Sequence, residues 1–283
     1  MSEPSGLVKM RPGSVVGVAL HSREKTHRTD TSLSHFRKLL EGKGLSQNDP
    51  FAKGKAAAGA KAAEAVTPGM RLGLGTGSTA AFFLRALGRR CQNGELPGIV
   101  GVPTSLRTQE EAGKLGIPLS TLQEVGSLDL TVDGADEVDP ALDLIKGLGG
   151  ALLREKMVAQ VTQHLIIIAD RRKLVDRLGT RSPLPLEVVP FAWESHVPFL
   201  HELGARAVIR SGPDGAPFLT DNGNVILDCH FSKGIGDAWV LQDALAKRAG
   251  VVESGLFLGL ADEVLVGGEG DVMTMTRKEA GVA

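Results

Sequence analysis

Between Arg71 and Ala169 the sequence alternates four short apolar runs with helix-forming stretches, and that alternation commits the chain to a parallel sheet covered by helices. The apolar runs are 71–74, 99–102, 128–132 and 165–169. Helices are predicted over 78–87, 106–115 and 151–163, and an alanine-rich helix over 55–66 precedes them. Alanine loses little side-chain entropy in a helix, and Thr67-Pro68-Gly69 supplies the stop. Within 151–163, Leu153, Met157 and Val161 fall four apart and predict the buried stripe, which leaves Glu155 off it.

A second unit begins at the punctuation Pro183-Leu184-Pro185. Short strands are predicted over 186–189, 205–209, 218–220 and 225–228, and Asp221-Asn222-Gly223-Asn224 is a hairpin turn signal, because Asn and Gly tolerate positive φ. Helices over 195–203 and 237–249 complete this module, after which 264–266 returns to the first sheet. The expected fold is α/β: a Rossmann-like parallel-sheet domain over 51–181 and 255–283, and a smaller α+β domain over 182–254. Residues 1–50 lack a sustained apolar period and read as a mobile N-terminal extension, with room for a short helix over 33–40.

Composition narrows the function classes. Of 283 residues, 42% are apolar, enough for a substantial core, while 32 basic against 33 acidic residues give no general field for nucleic acid or membrane surfaces. No apolar run approaches the roughly 20 residues of a membrane-spanning helix, and no basic region followed by an apolar stretch marks a secretory signal. Cys91 and Cys229 alone make neither a disulfide scaffold nor a thiolate zinc site, so a reducing cytoplasm is expected. Among the seven histidines, His196 and His201 stand five apart on a predicted helix and make no convincing ligand set; no metal is assigned.

Three segments carry the chemistry. In Gly73-Leu74-Gly75-Thr76-Gly77-Ser78-Thr79, closely spaced glycines let backbone N–H groups approach an anion, and the following helix adds its positive end and two hydroxyls. Ser78 stands where the dinucleotide fingerprint needs a third glycine, and the Gly-Lys-Ser/Thr ending of a P-loop is missing. Taken alone, the loop favours anion binding over a merely tight turn. In Asp133-Gly134-Ala135-Asp136-Glu137, two acids emerge at the carboxyl end of an apolar strand, where open parallel sheets bind ligands, although turn capping accounts for such aspartates equally well. In the third segment Lys146 precedes the glycine run Gly147-Leu148-Gly149-Gly150, and Glu155 lies in the first turns of the next helix. A carboxylate base beside cationic and N–H donors suits proton abstraction next to a carbonyl, with the donors stabilising the enediolate oxygen. For Lys156 an exposed helix salt bridge is the preferred reading.

These three motifs, in this order and at these intervals, resemble the type A ribose-5-phosphate isomerase family over approximately 53–272. The resemblance implies an aldose–ketose isomerase interconverting D-ribose 5-phosphate and D-ribulose 5-phosphate in the non-oxidative pentose phosphate pathway, without metal or organic cofactor. It implies Glu155 as the proton acceptor between C1 and C2, Asp133 assisting ring opening, and Asp136 holding hydroxyls or orienting nearby charges. Lys146 joins them in the catalytic set. Thr76, Gly77, Ser78 and Thr79 become substrate-loop positions; Asp133, Gly134, Ala135 and Asp136 the second binding segment; Lys146, Gly147, Leu148 and Gly149 the third. Lys173 matches a family lysine that contacts substrate, and Lys55 adds phosphate charge. A homodimer or homotetramer acting on a small sugar phosphate, with no nucleic-acid or membrane partner, follows from the same resemblance.

The chain departs from the family's usual Lys-Gly-Gly-Gly-Ala-Ala-Leu-Thr-Arg-Glu at Leu148, which replaces a glycine, and at Leu153, which replaces the threonine. A leucine disturbs the turn if its position demands positive φ. The kept separation of Lys146 and Glu155 predicts altered packing and retained chemistry. Sugar-phosphate deaminases, coenzyme A transferases and effector domains of sugar-responsive repressors share this sheet architecture, so fold alone does not separate an isomerase from a phosphosugar sensor.

Overall fold

The computed structural model describes residues 49–277. The extension expected over 1–50, with its 33–40 helix, lies outside the described residues apart from Asp49 and Pro50.

The elements follow in chain order: α1 (Ala52–Glu64), β1 (Arg71–Leu74), α2 (Ala80–Gln92), β2 (Val100–Pro103), α3 (Leu106–Lys114), α4 (Leu122–Val125), β3 (Leu130–Gly134), β4 (Glu137–Val138), β5 (Leu144–Ile145), α5 (Leu152–Gln160) and β6 (Leu165–Asp170). Then come β7 (Leu184–Val188), α6 (His196–Glu202), β8 (Arg206–Ile209), β9 (Val225–His230), α7 (Ala238–Ala246), β10 (Val251–Ser254), β11 (Leu256–Phe257), β12 (Glu263–Gly267) and β13 (Val272–Thr276). A six-stranded sheet runs β13-β12-β6-β3-β1-β2, parallel throughout except where β13 turns back along β12. The return of 264–266 to the first sheet is thus realised in β12, while β13 carried no signal in the sequence reading.

Both faces of this sheet are covered. Leu72, Leu74, Val132, Ile166 and Ile168 pack under α1 and α2 on one side, and Leu165, Ile167, Val264 and Val266 pack with Phe257 and Leu144 on the other. All six residues of β6 are buried, the pattern of a parallel strand covered on two sides. The chain passes from β1 to β2 on one side and returns to place β3 on the other side of β1, so a topological switch point lies between β1 and β3. Close approach there requires glycine: a Cβ at Gly73 would stand 2.0 Å from Thr131 Oγ1, and one at Gly75 2.3 Å from Asp133 Oδ1.

A second, antiparallel sheet runs β10-β7-β9-β8 around Leu186, Val188, Leu227 and Cys229, with α6 and α7 against it. Three short strands, β11-β5-β4, form a third sheet that the sequence reading did not anticipate; two-residue strands leave no periodic signal. The strand expected over 218–220 is reduced to an isolated bridge between Leu219 and Val225, because Phe218 lies against Gly150 and the Thr220 hydroxyl bonds Glu187. The apolar stripe of α5 also differs from the expected one: Leu152, Glu155, Lys156, Val158 and Ala159 are buried, while Met157 is exposed. Glu155 therefore faces inward, and the four-residue spacing of Leu153, Met157 and Val161 misled because the helix buries the polar side chains Glu155 and Lys156. No helix among the described residues is long and apolar enough to cross a membrane.

Candidate active site

The switch point places the three motifs together. β3 carries Asp133 one residue before its end, and its Oδ1 accepts the Thr76 N–H at 3.0 Å and the Gly134 N–H at 2.7 Å. Its Oδ2 lies 3.0 Å from Lys146 Nζ, and the same ammonium lies 3.3 Å from Glu155 Oε1 and donates to the Gly134 carbonyl. Asp133, Lys146 and Glu155 are all buried, and Glu155 Oε2 has no hydrogen-bond partner among the described residues. Thr76, Gly77, Ser78, Thr79, Gly134, Ala135, Asp136, Lys146, Gly147, Gly149, Glu155 and Lys173 line one cleft. Among the sequence candidates, Asp133, Leu148 and Lys55 stand just behind this lining, each bonded to a group in it or beside it.

Charge burial sets the protonation of the cluster. Burial, and then the neighbouring Asp133 carboxylate, push the Glu155 carboxyl up to about 8, against the pull of Lys146. Burial likewise raises Asp133 despite Lys146 and the two N–H donors. Burial alone would depress Lys146, but the Asp133 and Glu155 carboxylates more than offset it and hold the amine above its ordinary value. The result is a fixed ammonium beside two carboxyls competing for ionisation.

Asp136 is placed by two contacts: its Oδ2 accepts the Leu148 N–H at 2.9 Å, and its Oδ1 lies 3.7 Å from Lys173 Nζ. Leu148 is not among the residues at positive φ, whereas Gly147 at φ 104° and Gly150 at φ 81° are. The leucine substitution is therefore accommodated, its side chain pointing out to 41% exposure.

The phosphate-type loop turns at Gly77, φ 117°, and α2 starts at Ala80. No hydroxyl caps this helix: Thr79 occupies the cap position without a side-chain hydrogen bond, and the N–H groups of Ser78 and Thr79 have no acceptor among the described residues. Lys55 Nζ reaches this loop from α1, donating to Ser78 Oγ at 3.1 Å and to Asp49 Oδ2 at 2.8 Å. Thr76 differs from its loop neighbours. Its N–H is held by Asp133, and its hydroxyl sits in a cluster with Thr104 (2.8 Å), Ser105 (2.8 Å) and Thr108 (3.0 Å).

Sequence reasoning missed this hydroxyl cluster and misplaced Lys156. Lys156 is buried, donating to Glu253 Oε1 at 2.6 Å and to the Ser254 carbonyl at 2.8 Å, with its ammonium 4.9 Å from the Phe257 ring centre. Its partners lie nearly a hundred residues away, so no helical spacing could have revealed them. A larger cavity of about 420 Å³ beside Val102, Leu122 and Met157 has Glu124 and Arg154 as its charged groups. Glu124 is engaged by the Ser120 hydroxyl and the Thr121 N–H, and Arg154 by Asn222 and the Asp221 carbonyl, whereas the 133–155 cleft holds the buried carboxyl–ammonium cluster.

The family model for ribose 5-phosphate isomerase A (phosphoriboisomerase A) matches residues 100–271. Ribose-5-phosphate isomerase A of Chloroflexus aurantiacus is 51% identical over 227 residues, covering 80% of this chain and 95% of that protein. A probable chloroplastic ribose-5-phosphate isomerase 3 of Arabidopsis thaliana is 46% identical over 265 residues, covering 92% of this chain and 94% of that protein. The solved structure of a D-ribose-5-phosphate isomerase in complex with phospho-erythronic acid superposes with a TM-score of 0.76 at 41% identity, covering 78% of this chain and 97% of that one.

Proposed function

The chain belongs to the ribose 5-phosphate isomerase A family, and from that premise we propose how its own residues interconvert ribose 5-phosphate and ribulose 5-phosphate. The observation that carries the reading is the buried Asp133–Lys146–Glu155 cluster at the switch point. Glu155 takes the C2 proton of the open-chain aldose and returns it to C1. Its unpartnered Oε2 is the oxygen available for this, and a carboxyl raised to about 8 is a stronger base than an ordinary one once ionised. Lys146 donates to the developing enediolate oxygen without reorganising, since Asp133 and Glu155 already fix it.

Asp133 assists ring opening, and Asp136, oriented by the Leu148 N–H and Lys173, holds sugar hydroxyls. The phosphate is received by the N–H groups and hydroxyls of Ser78 and Thr79, the open turn at Gly77, and the Lys55 ammonium. Thr76 organises the loop: its two polar groups are already engaged inside the protein. The reading requires no metal or organic cofactor. We place the enzyme in the cytoplasm, a reading supported by two cysteines that stay free. We infer a homodimer or homotetramer assembled through the 182–254 domain, a reading supported by exposed Phe191, Trp239 and Val240 there.

The test is Glu155→Gln in the full chain, assayed for ribulose 5-phosphate formation with EDTA present. Turnover should be lost while sugar-phosphate affinity is kept. Near-normal turnover would reject the base assignment, and a wild-type chain that binds ribose 5-phosphate without converting it would favour a sensor.

A further inference from the structure

Arg210, just past the end of β8, lies more than sixty residues from the third motif, yet its guanidinium touches it. Nε donates to Asp228 Oδ2 at 3.0 Å and Nη2 to Asp228 Oδ1, a two-pronged pairing that fixes the plane of the group. Nη1 is left to face the turn, donating to the Gly147 carbonyl at 2.9 Å and to the Leu148 carbonyl at 3.0 Å. The Arg210 side chain is 13% exposed, and Phe218 from the same hairpin lies within 2.6 Å of where a Cβ at Gly150 would stand.

The consequence follows from peptide geometry. A trans peptide unit is planar, so its C=O and the N–H of the next residue point in opposite directions. Holding the Gly147 oxygen turns the Leu148 N–H away from Arg210, and that N–H is the donor to Asp136 Oδ2. Holding the Leu148 oxygen does the same to the Gly149 N–H, which has no acceptor among the described residues and belongs to a residue lining the cleft. We propose that Arg210 is a positioning residue for the sugar end of the site: by gripping two carbonyls from outside, it aims the Leu148 N–H at Asp136 and the Gly149 N–H at the substrate. The second sheet thus contributes to the geometry of the reaction centre. Arg210 makes no hydrogen bond to the 77–79 loop or to Lys55, so the phosphate end is independent of it.

This inference rests on the cleft being the sugar-phosphate site, and its test separates the two claims. Dissociation constants of phospho-erythronic acid, a phosphorylated sugar acid, and of inorganic phosphate are measured calorimetrically on wild type, Arg210→Met and Arg210→Lys, alongside kcat and KM for ribose 5-phosphate. In Arg210→Met the sugar acid should bind about tenfold or more weakly, as expected for losing hydrogen bonds from a charged donor, with phosphate affinity kept within about twofold. Arg210→Lys, with one ammonium in place of the fork, should recover part of the loss. If Arg210→Met does not fold, the same split in Arg210→Lys supports the proposal. Unchanged sugar-acid affinity, or equal weakening of both probes, overturns it. A wild type that binds phospho-erythronic acid but does not isomerise ribose 5-phosphate refutes the function and leaves this test standing.

Discussion

Replacing Glu155 by glutamine should stabilise the protein, and by an amount that depends on pH. In the folded chain the Glu155 carboxyl is raised from 4.5 to about 8 by burial and by Asp133. A carboxyl with a raised folded pKa binds its proton more tightly in the folded state. Its favourable contribution is therefore complete below pH 4.5 and is lost as pH rises through 8. The separation between those values corresponds to on the order of 5 kcal/mol. Glutamine has nearly the same shape and never ionises, so it removes this dependence while leaving the 3.0 Å contact of Lys146 with Asp133 in place. Thermal unfolding of wild type and Glu155→Gln at half-unit steps from pH 5 to 9 reads the effect. The variant should gain relative to wild type across that range, by roughly 10 °C or more in Tm at the alkaline end. Two parallel Tm curves would refute the reasoning, because they would mean that Glu155 ionises in the fold as easily as in water.

Two further outcomes follow from the same geometry. Since the ionised Glu155 is the active form, kcat/KM should climb about fivefold from pH 7 to 8 and level off about one unit above 8, a range in which the substrate phosphate is already dianionic; a flat profile there would count against Glu155 as the base. Gly75→Ala places a Cβ 2.3 Å from Asp133 Oδ1 and 2.5 Å from the Asp133 Cα, so the strand ends must part. Steady-state assays should show turnover reduced on the order of 10²-fold, and wild-type turnover would mean that Asp133 tolerates displacement.

The sequence by itself determined the alternation of strands and helices, because β1, β2, β3 and β6 are apolar runs whose periodicity is local, and glycine turns mark where they release the chain. It also singled out the candidates for the site, since Asp133, Asp136, Lys146 and Glu155 are polar groups set against that apolar pattern at strand ends and helix starts. The tertiary structure decided how those groups behave. That Glu155 is buried on α5, that Thr76 is engaged inwardly, that Lys156 pairs with Glu253 and that Arg210 grips the 147–148 turn all depend on contacts between residues far apart in the chain. Periodicity reports which face of an element is apolar, whereas the desolvation that raises Glu155 and the hydrogen bonds that aim a peptide plane arise only when separate elements meet.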